Sequence, residues 1–306
     1  MRIVRWPGGQ VRRSLCLAVG VFDGVHRGHQ AILSAAVQRA ARSGSAPAVL
    51  TFEPHPETVI NPPAAPALLT PGDEKLALLR DMGIRLTIIA RFDRRLANTP
   101  PDAFVREVLA RHLRAAVVVV GEGWRFGADG RGTPHLLQAM AGSLGFRVRV
   151  VPAVIVGGKK VSSTWVRALV QQGRVAAVSQ LLGRSYQLAG DVVKGSGVGR
   201  KLGYPTANLQ LPEEKLLPRD GVYACRAGQK RLWPAVLYIG VRPTLDSAGI
   251  RRVEVHLLEH GRRPDLLGRR LKVELIALLR RDRKFASVEA LKAQMARDCS
   301  RARQMV

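Results

Sequence analysis

The chain opens with an alternation of two hydrophobic patterns. Short, uninterrupted apolar runs fall at residues 15–21, 48–52, 86–90, 116–120 and 146–151, and Val117 to Val120 is an unbroken β-branched stretch. Runs of this kind suit strands covered on both faces. Between them, apolar residues recur at helical spacing over 29–42, 73–82, 102–112 and 134–144. In the first of these, Ile32, Leu33, Ala36, Val37 and Ala40 form one stripe. Thr70-Pro71-Gly72-Asp73 reads as a helix start, with Thr70 as the cap. Strand and helix in alternation predict a parallel, doubly wound sheet that binds ligands at the carboxyl ends of its strands.

The pattern changes after Leu182, where Gly183-Arg184-Ser185 reads as a hinge. The predicted domains are therefore 1–182 and 183–306. Short runs at 186–193, 221–227, 233–239, 252–258 and 271–279 are separated by Gly and Pro, which predicts a small β barrel or sandwich. The last stretch is helical, with Val288, Leu291, Met295 and Cys299 on one face and Ser287 as its cap.

Several phrases carry candidate chemistry. Val19 to His29 reads as strand, tight glycine turn and helix start, with His26 and His29 flanking Gly28. Backbone N–H groups and the helix dipole favour an anion there, and the histidines add donors. The same residues also suit a plain turn with two surface histidines. Thr51-Phe52-Glu53-Pro54-His55-Pro56 reads as a stiff loop that aims His55 outward. Gly121 to Gly127 places Trp124, Arg125 and Phe126 on a strand-end loop, which suits a stacked ring and a phosphate, or an aromatic lid on the core. Ser162-Ser163-Thr164-Trp165-Val166-Arg167 opens another helix, where Ser is by default a cap and Arg167 could reach an anion.

In the second half, Lys194 to Asn208 contains four glycines with Lys194, Arg200 and Lys201 before Gly203. Its amides could cradle phosphates, although it is not a Walker A loop. Thr206 and Asn208 flank Ala207, so on an extended segment they face the same way, and two neutral oxygens suit a Mg²⁺ that also takes ATP phosphates. In Arg252 to Leu258, period-two alternation separates Val253, Val255 and Leu257 from Glu254 and His256. Glu254 is then either part of a wet strand face or a general base.

Composition changes this picture little. The chain has 306 residues, 46% of them hydrophobic, and a net charge of +26. The basic residues are scattered, and no basic helix or aromatic platform for reading nucleic acid stands out. Cys16, Cys225 and Cys299 form no metal or redox motif, which suits a reducing compartment. The apolar run near the N-terminus is short and ends in Asp23-Gly24, unlike a secretory leader, and no run approaches the roughly 18 residues of a membrane span.

Phe-Asp-Gly-Val-His-x-Gly-His, together with the His55, Trp124-Arg125-Phe126 and Ser162-Ser163 phrases, resembles the FMN adenylyltransferase module of bacterial bifunctional riboflavin kinase/FAD synthetases. Gly-x-Gly-x-x-x-Gly-Tyr-Pro-Thr-Ala-Asn, followed by Ile239-Gly240-x-Arg-Pro243-Thr244 and Val-Glu254-Val, resembles the riboflavin kinase domain of the same family. The resemblance implies a Rossmann-like α/β nucleotidyltransferase domain followed by a six-stranded antiparallel β-barrel with a C-terminal helix. It implies that Phe22, Asp23, Gly24, His26, Gly28 and His29, with Ser162, Ser163 and Arg167, bind the ATP phosphates of the first domain. His26 and His29 would be catalytic there. His55, Arg125, Phe126 and Gly127 would lie near the flavin or the reacting phosphates. In the second domain it implies ATP at Gly195, Gly197, Gly199, Lys201, Gly203 and Pro205, Mg²⁺ at Thr206 and Asn208, and Glu254 as the base. Riboflavin, FMN, FAD and ATP/ADP would be the partners of a cytoplasmic monomer or weak homo-oligomer, without nucleic acid or membrane. Gly123 stands where the family usually carries Asp or Asn, Trp124 where it usually carries Phe, and Val21 where Asn is frequent. A second implied reading is therefore a riboflavin kinase with a weak or inactive first domain.

Overall fold

The computed structural model describes residues 1–8, 14–195, 197–241, 251–258 and 266–306. Ser196 and the Arg242-Pro243-Thr244 part of the second-half phrase lie outside the described residues. The chain falls into two compact units, Met1–Ser163 and Thr164–Val306. The helices Ser163–Gln171 and Val175–Leu182 group largely with the second unit, whereas the sequence pattern sets the domain boundary after Leu182.

The first unit holds a parallel sheet of β1 (Arg2–Trp6), β2 (Leu15–Val19), β3 (Ala46–Glu53), β4 (Leu86–Arg91), β5 (Ala115–Gly121) and β6 (Arg147–Val151). Its order is β1-β4-β3-β2-β5-β6. The sequence pattern anticipates five of these strands and misses β1, which pairs with β4 at the sheet edge. The edge position explains the miss, because β1 buries only Val4 and so lacks an apolar run. The central strands are covered on both faces. Leu15, Leu17, Val19, Val118 and Val120 join one core, and Cys16, Ala18, Val117 and Val119 join the other. After β2 the chain proceeds through β3 and β4 on one side, then crosses to β5 on the other. The carboxyl ends of β2 and β5 thus flank the point where strand order reverses, which is where such sheets form a crevice. A short hairpin, β7 (Ile155–Val156) and β8 (Lys159–Lys160), follows the sheet.

The helix Arg27–Ser43 buries Leu33, Ala36 and Ala40 and ends at Gly44 in the left-handed region. The next long helix, Gly72–Asp81, starts one residue later than a Thr70 cap requires. Pro71 takes the cap position without a side-chain bond, because Thr70 is engaged elsewhere.

The second unit is a closed barrel of β9 (Gln187–Val193), β10 (Ala207–Gln210), β11 (Gly221–Gly228), β12 (Leu232–Val241), β13 (Arg251–Leu257) and β14 (Arg270–Arg281). All its pairings are antiparallel. The Ala207–Gln210 strand is too short for its periodicity to be read, yet it closes the barrel between β9 and β13. The C-terminal helix Val288–Arg303 begins at Ser287, whose Oγ accepts the Ala290 N–H at 3.1 Å, as the sequence predicts. It packs over the barrel face that carries Val236 and Tyr238. Cys16, Cys225 and Cys299 are free and buried, and burial pushes the Cys16 thiol up to about 11, well away from a reactive thiolate. Among the described residues, no helix is long and apolar enough to cross a membrane.

Candidate active sites

The first site is built where β2 ends. The backbone turns through Phe22 (φ 54°), Gly24 (φ 86°) and Val25 (φ 38°), a run of left-handed angles that costs energy at the two side-chain-bearing positions. What holds it is Asp23, which is 4% exposed. Its carboxylate accepts hydrogen bonds from Leu69 N at 3.1 Å, Thr70 N at 2.9 Å and Thr70 Oγ1 at 3.3 Å. Thr70 Oγ1 in turn accepts the Gly24 N–H at 2.8 Å. A Cβ on Gly24 would lie 2.7 Å from Leu69 Cδ1 and push that methyl aside, and the φ of 86° itself favours glycine. Asp23 therefore ties the turn to the segment before the second long helix. The sequence offers Thr70 only as a cap, so it misses this bond.

His26 caps the helix that follows: its Nδ1 accepts the His29 N–H at 3.3 Å. A neutral His26 then carries its proton on Nε2 and can donate from that edge. The two imidazoles stack at 3.7 Å between centroids, and Phe22 meets His29 edge-on at 5.3 Å. A Cβ on Gly28 would lie 3.1 Å from the His26 ring, so glycine is what lets that ring lie over the helix start. Ser163 Oγ donates to the Asp23 carbonyl at 2.8 Å, which draws the Ser162-Ser163 phrase to the turn. Lys75 Nζ donates to Thr51 Oγ1 at 3.4 Å, and Thr51 Oγ1 donates to the Val21 carbonyl at 3.0 Å. Burial pushes the Lys75 ammonium below its ordinary value, opposed by the charges of Asp23 and Glu53.

The other expected residues of this unit divide. His55 is half-buried and caps the helix Pro56–Ile60 by accepting the Glu57 N–H at 3.3 Å. Phe126 is buried in the core against Phe104, at 5.7 Å between rings, and Trp124 stacks on it at 4.4 Å. Arg125 is exposed on the loop between them. Gly127 adopts φ 69°, and a Cβ there would lie 2.7 Å from Pro101. The aromatics thus anchor the loop, and Arg125 is the side chain it presents. Arg167 belongs to the second unit, on the helix Ser163–Gln171.

The second site lies on the barrel. Glu254 on β13 is 5% exposed, which excludes the wet-face reading of its strand. Thr206 Oγ1 donates to Glu254 Oε2 at 3.1 Å. Asn208 on β10 stands directly opposite Glu254 in the antiparallel register, so their side chains share a face. Thr206 precedes the strand, so its direction is not set by the alternation that Ala207 begins. It lines a cavity of about 650 Å³ with Glu254, His256, Tyr238 and, from the C-terminal helix, Leu291 and Met295. Asn208 lines a second cavity of about 820 Å³ with Lys194, Gly195, Lys215 and Arg252. Glu254 and Asn208 therefore stand where the two cavities adjoin.

The glycine phrase covers this junction. A Cβ on Gly195 would lie 1.9 Å from Asn208 Nδ2, and one on Gly199 would lie 2.5 Å from the Tyr204 carbonyl and 3.1 Å from Thr206 Oγ1. Both glycines let backbone approach the Thr206 and Asn208 side chains. Gly197 and Gly203, at φ 73° and 88°, bracket a short helical turn, Val198–Lys201. His256 Nδ1 lies 2.9 Å from the Pro205 carbonyl, which fixes the segment and places the imidazole proton on Nδ1. Among the described residues, no group of three His, Cys, Asp or Glu side chains is gathered for a metal.

The family model described as FAD synthetase matches residues 9–165, and that described as riboflavin kinase matches residues 182–306. A bifunctional riboflavin kinase/FMN adenylyltransferase of Escherichia coli K12 is 40% identical over 92% of this chain and 90% of its own length. The protein of the same name in Pseudomonas fluorescens is 38% identical over 94% of this chain and 92% of its own, and that of Bacillus subtilis is 31% identical over 92% and 89%. A crystal structure from Streptococcus pneumoniae described as a macrolide-efflux protein superposes with a TM-score of 0.89 and 27% identity, covering 99% of both chains. With both family models matched in order and relatives aligned over nearly their whole length, this chain belongs to the bifunctional riboflavin kinase/FMN adenylyltransferase family.

Proposed function

We propose that this chain makes FMN from riboflavin in its barrel and FAD from FMN in its parallel α/β unit, with ATP as co-substrate in both steps. The observation that carries this reading is the junction at Glu254. It is a buried carboxylate bonded to Thr206 and facing Asn208, with an apolar-lined cavity on one side and a basic one on the other. Riboflavin would enter the cavity beneath the C-terminal helix, and ATP would take the one lined by Lys194 and Arg252. Glu254 takes the proton of the ribityl 5′-hydroxyl as that oxygen bonds to the γ-phosphorus, and ADP leaves with the electrons of the broken bond. The oxygens of Thr206 and Asn208 beside a carboxylate fit Mg²⁺, a hard ion that takes few protein ligands when phosphates supply the rest. When bound, Mg²⁺ supplies charge neutralisation for the transferring phosphoryl group.

In the first unit, the FMN phosphate oxygen attacks the α-phosphorus of ATP, and pyrophosphate leaves. A phosphate is already an anion near neutral pH, so no base is required. The site accordingly offers donors: the helix start after His26, the His26 and His29 rings, and Ser162 beside Ser163. His55 and Arg125 are assigned to the same substrates. Gly195, Gly197, Gly199, Lys201, Gly203 and Pro205 are assigned to ATP in the barrel. The domain roles are 1–182 for FAD synthesis and 183–306 for riboflavin phosphorylation. Buried free thiols and ATP dependence suit a cytoplasmic enzyme, which we assign as a monomer or weak homo-oligomer.

The test is chromatographic separation of products after incubating the chain with ATP, Mg²⁺ and either riboflavin or FMN. FMN and FAD are expected from riboflavin, and FAD from FMN. His29→Ala is expected to suppress FAD from FMN while FMN formation continues. Absence of both products from the parent chain would refute the reading. FMN without FAD would leave a kinase alone.

A further inference from the structure

One cation near the first site has no role in the mechanism above. Lys160 lies on β8, the outgoing strand of the hairpin that follows the sheet. The hairpin is closed at its base by Val161 N donating to the Val154 carbonyl at 2.9 Å. Immediately beyond, the Val161 carbonyl lies 3.8 Å from where a Cβ on Gly28 would be, and Ser163 Oγ bonds the Asp23 carbonyl at 2.8 Å. The chain leaving Lys160 therefore runs along the histidine turn. On its other side, a Cβ built on Gly123 would lie 2.8 Å from Lys160 Nζ. Lys160 thus joins the two strand ends, of β2 and β5, that flank the crevice of the sheet.

Gly123 is not held in the left-handed region, so the backbone does not require glycine there. What occupies the place of its missing side chain is the ammonium. The acid beside Lys160 is Glu122, with Oε1 at 3.8 Å. Both side chains are about half exposed, at 54% and 49%, a geometry that holds a lysine weakly. A flexible ammonium at the crevice edge suits a terminal phosphate as a mobile point charge. The reaction also creates the need for one: an anionic phosphate must approach a triphosphate, and fixed positive charge offsets that repulsion.

We propose that Lys160 binds the phosphate of FMN in the first unit, and that Gly123 serves this contact by leaving the ammonium room and adding no second counter-charge to the weak one from Glu122. The proposal rests on the reading of this unit as an FMN adenylyltransferase. It makes position 123 a specificity position coupled to Lys160. An acidic side chain at 123 would meet the ammonium at ion-pair distance and hold it from the substrate. The sign is opposite to that expected if the glycine is merely a lost polar contact, because replacing it with Asp would then help.

The experiment measures FAD formation by the full chain as FMN is varied at saturating ATP and Mg²⁺. Lys160→Ala is expected to raise KM for FMN about tenfold, the scale of a lost charge-assisted contact, with KM for ATP within about twofold of the parent. Lys160→Arg should retain most of the affinity, a rescue that packing alone does not explain. Gly123→Asp should raise KM for FMN by a similar factor, yet add less than about twofold in the Lys160→Ala background. An unchanged KM for FMN in Lys160→Ala, or a fall in Gly123→Asp, overturns the proposal while the adenylyltransferase reading stands. No FAD from the parent chain overturns both.

Discussion

Asp23 and Glu254 are buried to almost the same degree, 4% and 5% exposed, each beside a glycine-rich turn in its own unit. Their surroundings set them apart. Both oxygens of Asp23 accept donors from Leu69 and Thr70, so its charge is consumed in holding a strained turn. Glu254 lines a cavity with Thr206 bonded to one oxygen and Asn208 opposite. The contrast follows the nucleophiles. A ribityl hydroxyl needs a proton acceptor before it can attack, and a phosphate does not. Burial alone therefore says little about a carboxylate's role; what its oxygens accept, and whether a cavity reaches them, says more.

The strongest way to break this contrast is at Glu254, the proposed base. Glu254→Gln keeps the shape and removes the proton acceptor, so FMN formation from riboflavin should fall by roughly 10²–10⁴-fold. FAD formation from FMN should not change in the same preparation. A kinase rate within a few-fold of the parent would remove Glu254 from the chemistry.

Asp23→Ala addresses the other side. It leaves buried amides of Leu69 and Thr70 without their acceptor and releases a turn with two positive-φ residues. The first unit should lose about 3 kcal/mol or more, read by urea unfolding. Riboflavin phosphorylation should survive at denaturant levels where FAD formation is lost. Equal loss of both activities would mean that Asp23 is not a local tie.

A smaller effect is expected from Gly195→Ala. Its Cβ would fall 1.9 Å from Asn208 Nδ2, so the loop must withdraw from the junction. KM for ATP in riboflavin phosphorylation should rise about tenfold, a loss of about 1.4 kcal/mol of binding. KM for ATP in FAD formation should stay put, because that ATP binds elsewhere. Unchanged kinase kinetics would separate the glycine phrase from the nucleotide.

Much of this was readable in advance, for a specific reason. Hydrophobic period reports which side of a segment faces a core, so the runs at 15–21 and 117–120 identify central strands, and the stripe from Ile32 to Ala40 identifies the helix between them. The motif spacing from Phe22 to His29 marks a strand–turn–helix junction, and alternation about Glu254 puts Val253, Val255 and Leu257 in the barrel core. Elements with weak local signals escaped: β1 at the sheet edge, and β10, four residues long, which closes the barrel through its neighbours.

The sequence by itself determined the order and type of most elements, the two-part organisation and the candidate residues for the sites, because these are written in local periodicity and short spacing. Tertiary structure alone decided what each polar group does. Thr70 leaves its cap to bind Asp23, Phe126 goes to the core while Arg125 stays exposed, Thr206 and Asn208 line different cavities, and Lys160 fills the space beside Gly123. Each is a pairing between residues that only folding brings together. A polar side chain takes whichever partner the packed backbone presents, and local spacing carries no record of that partner.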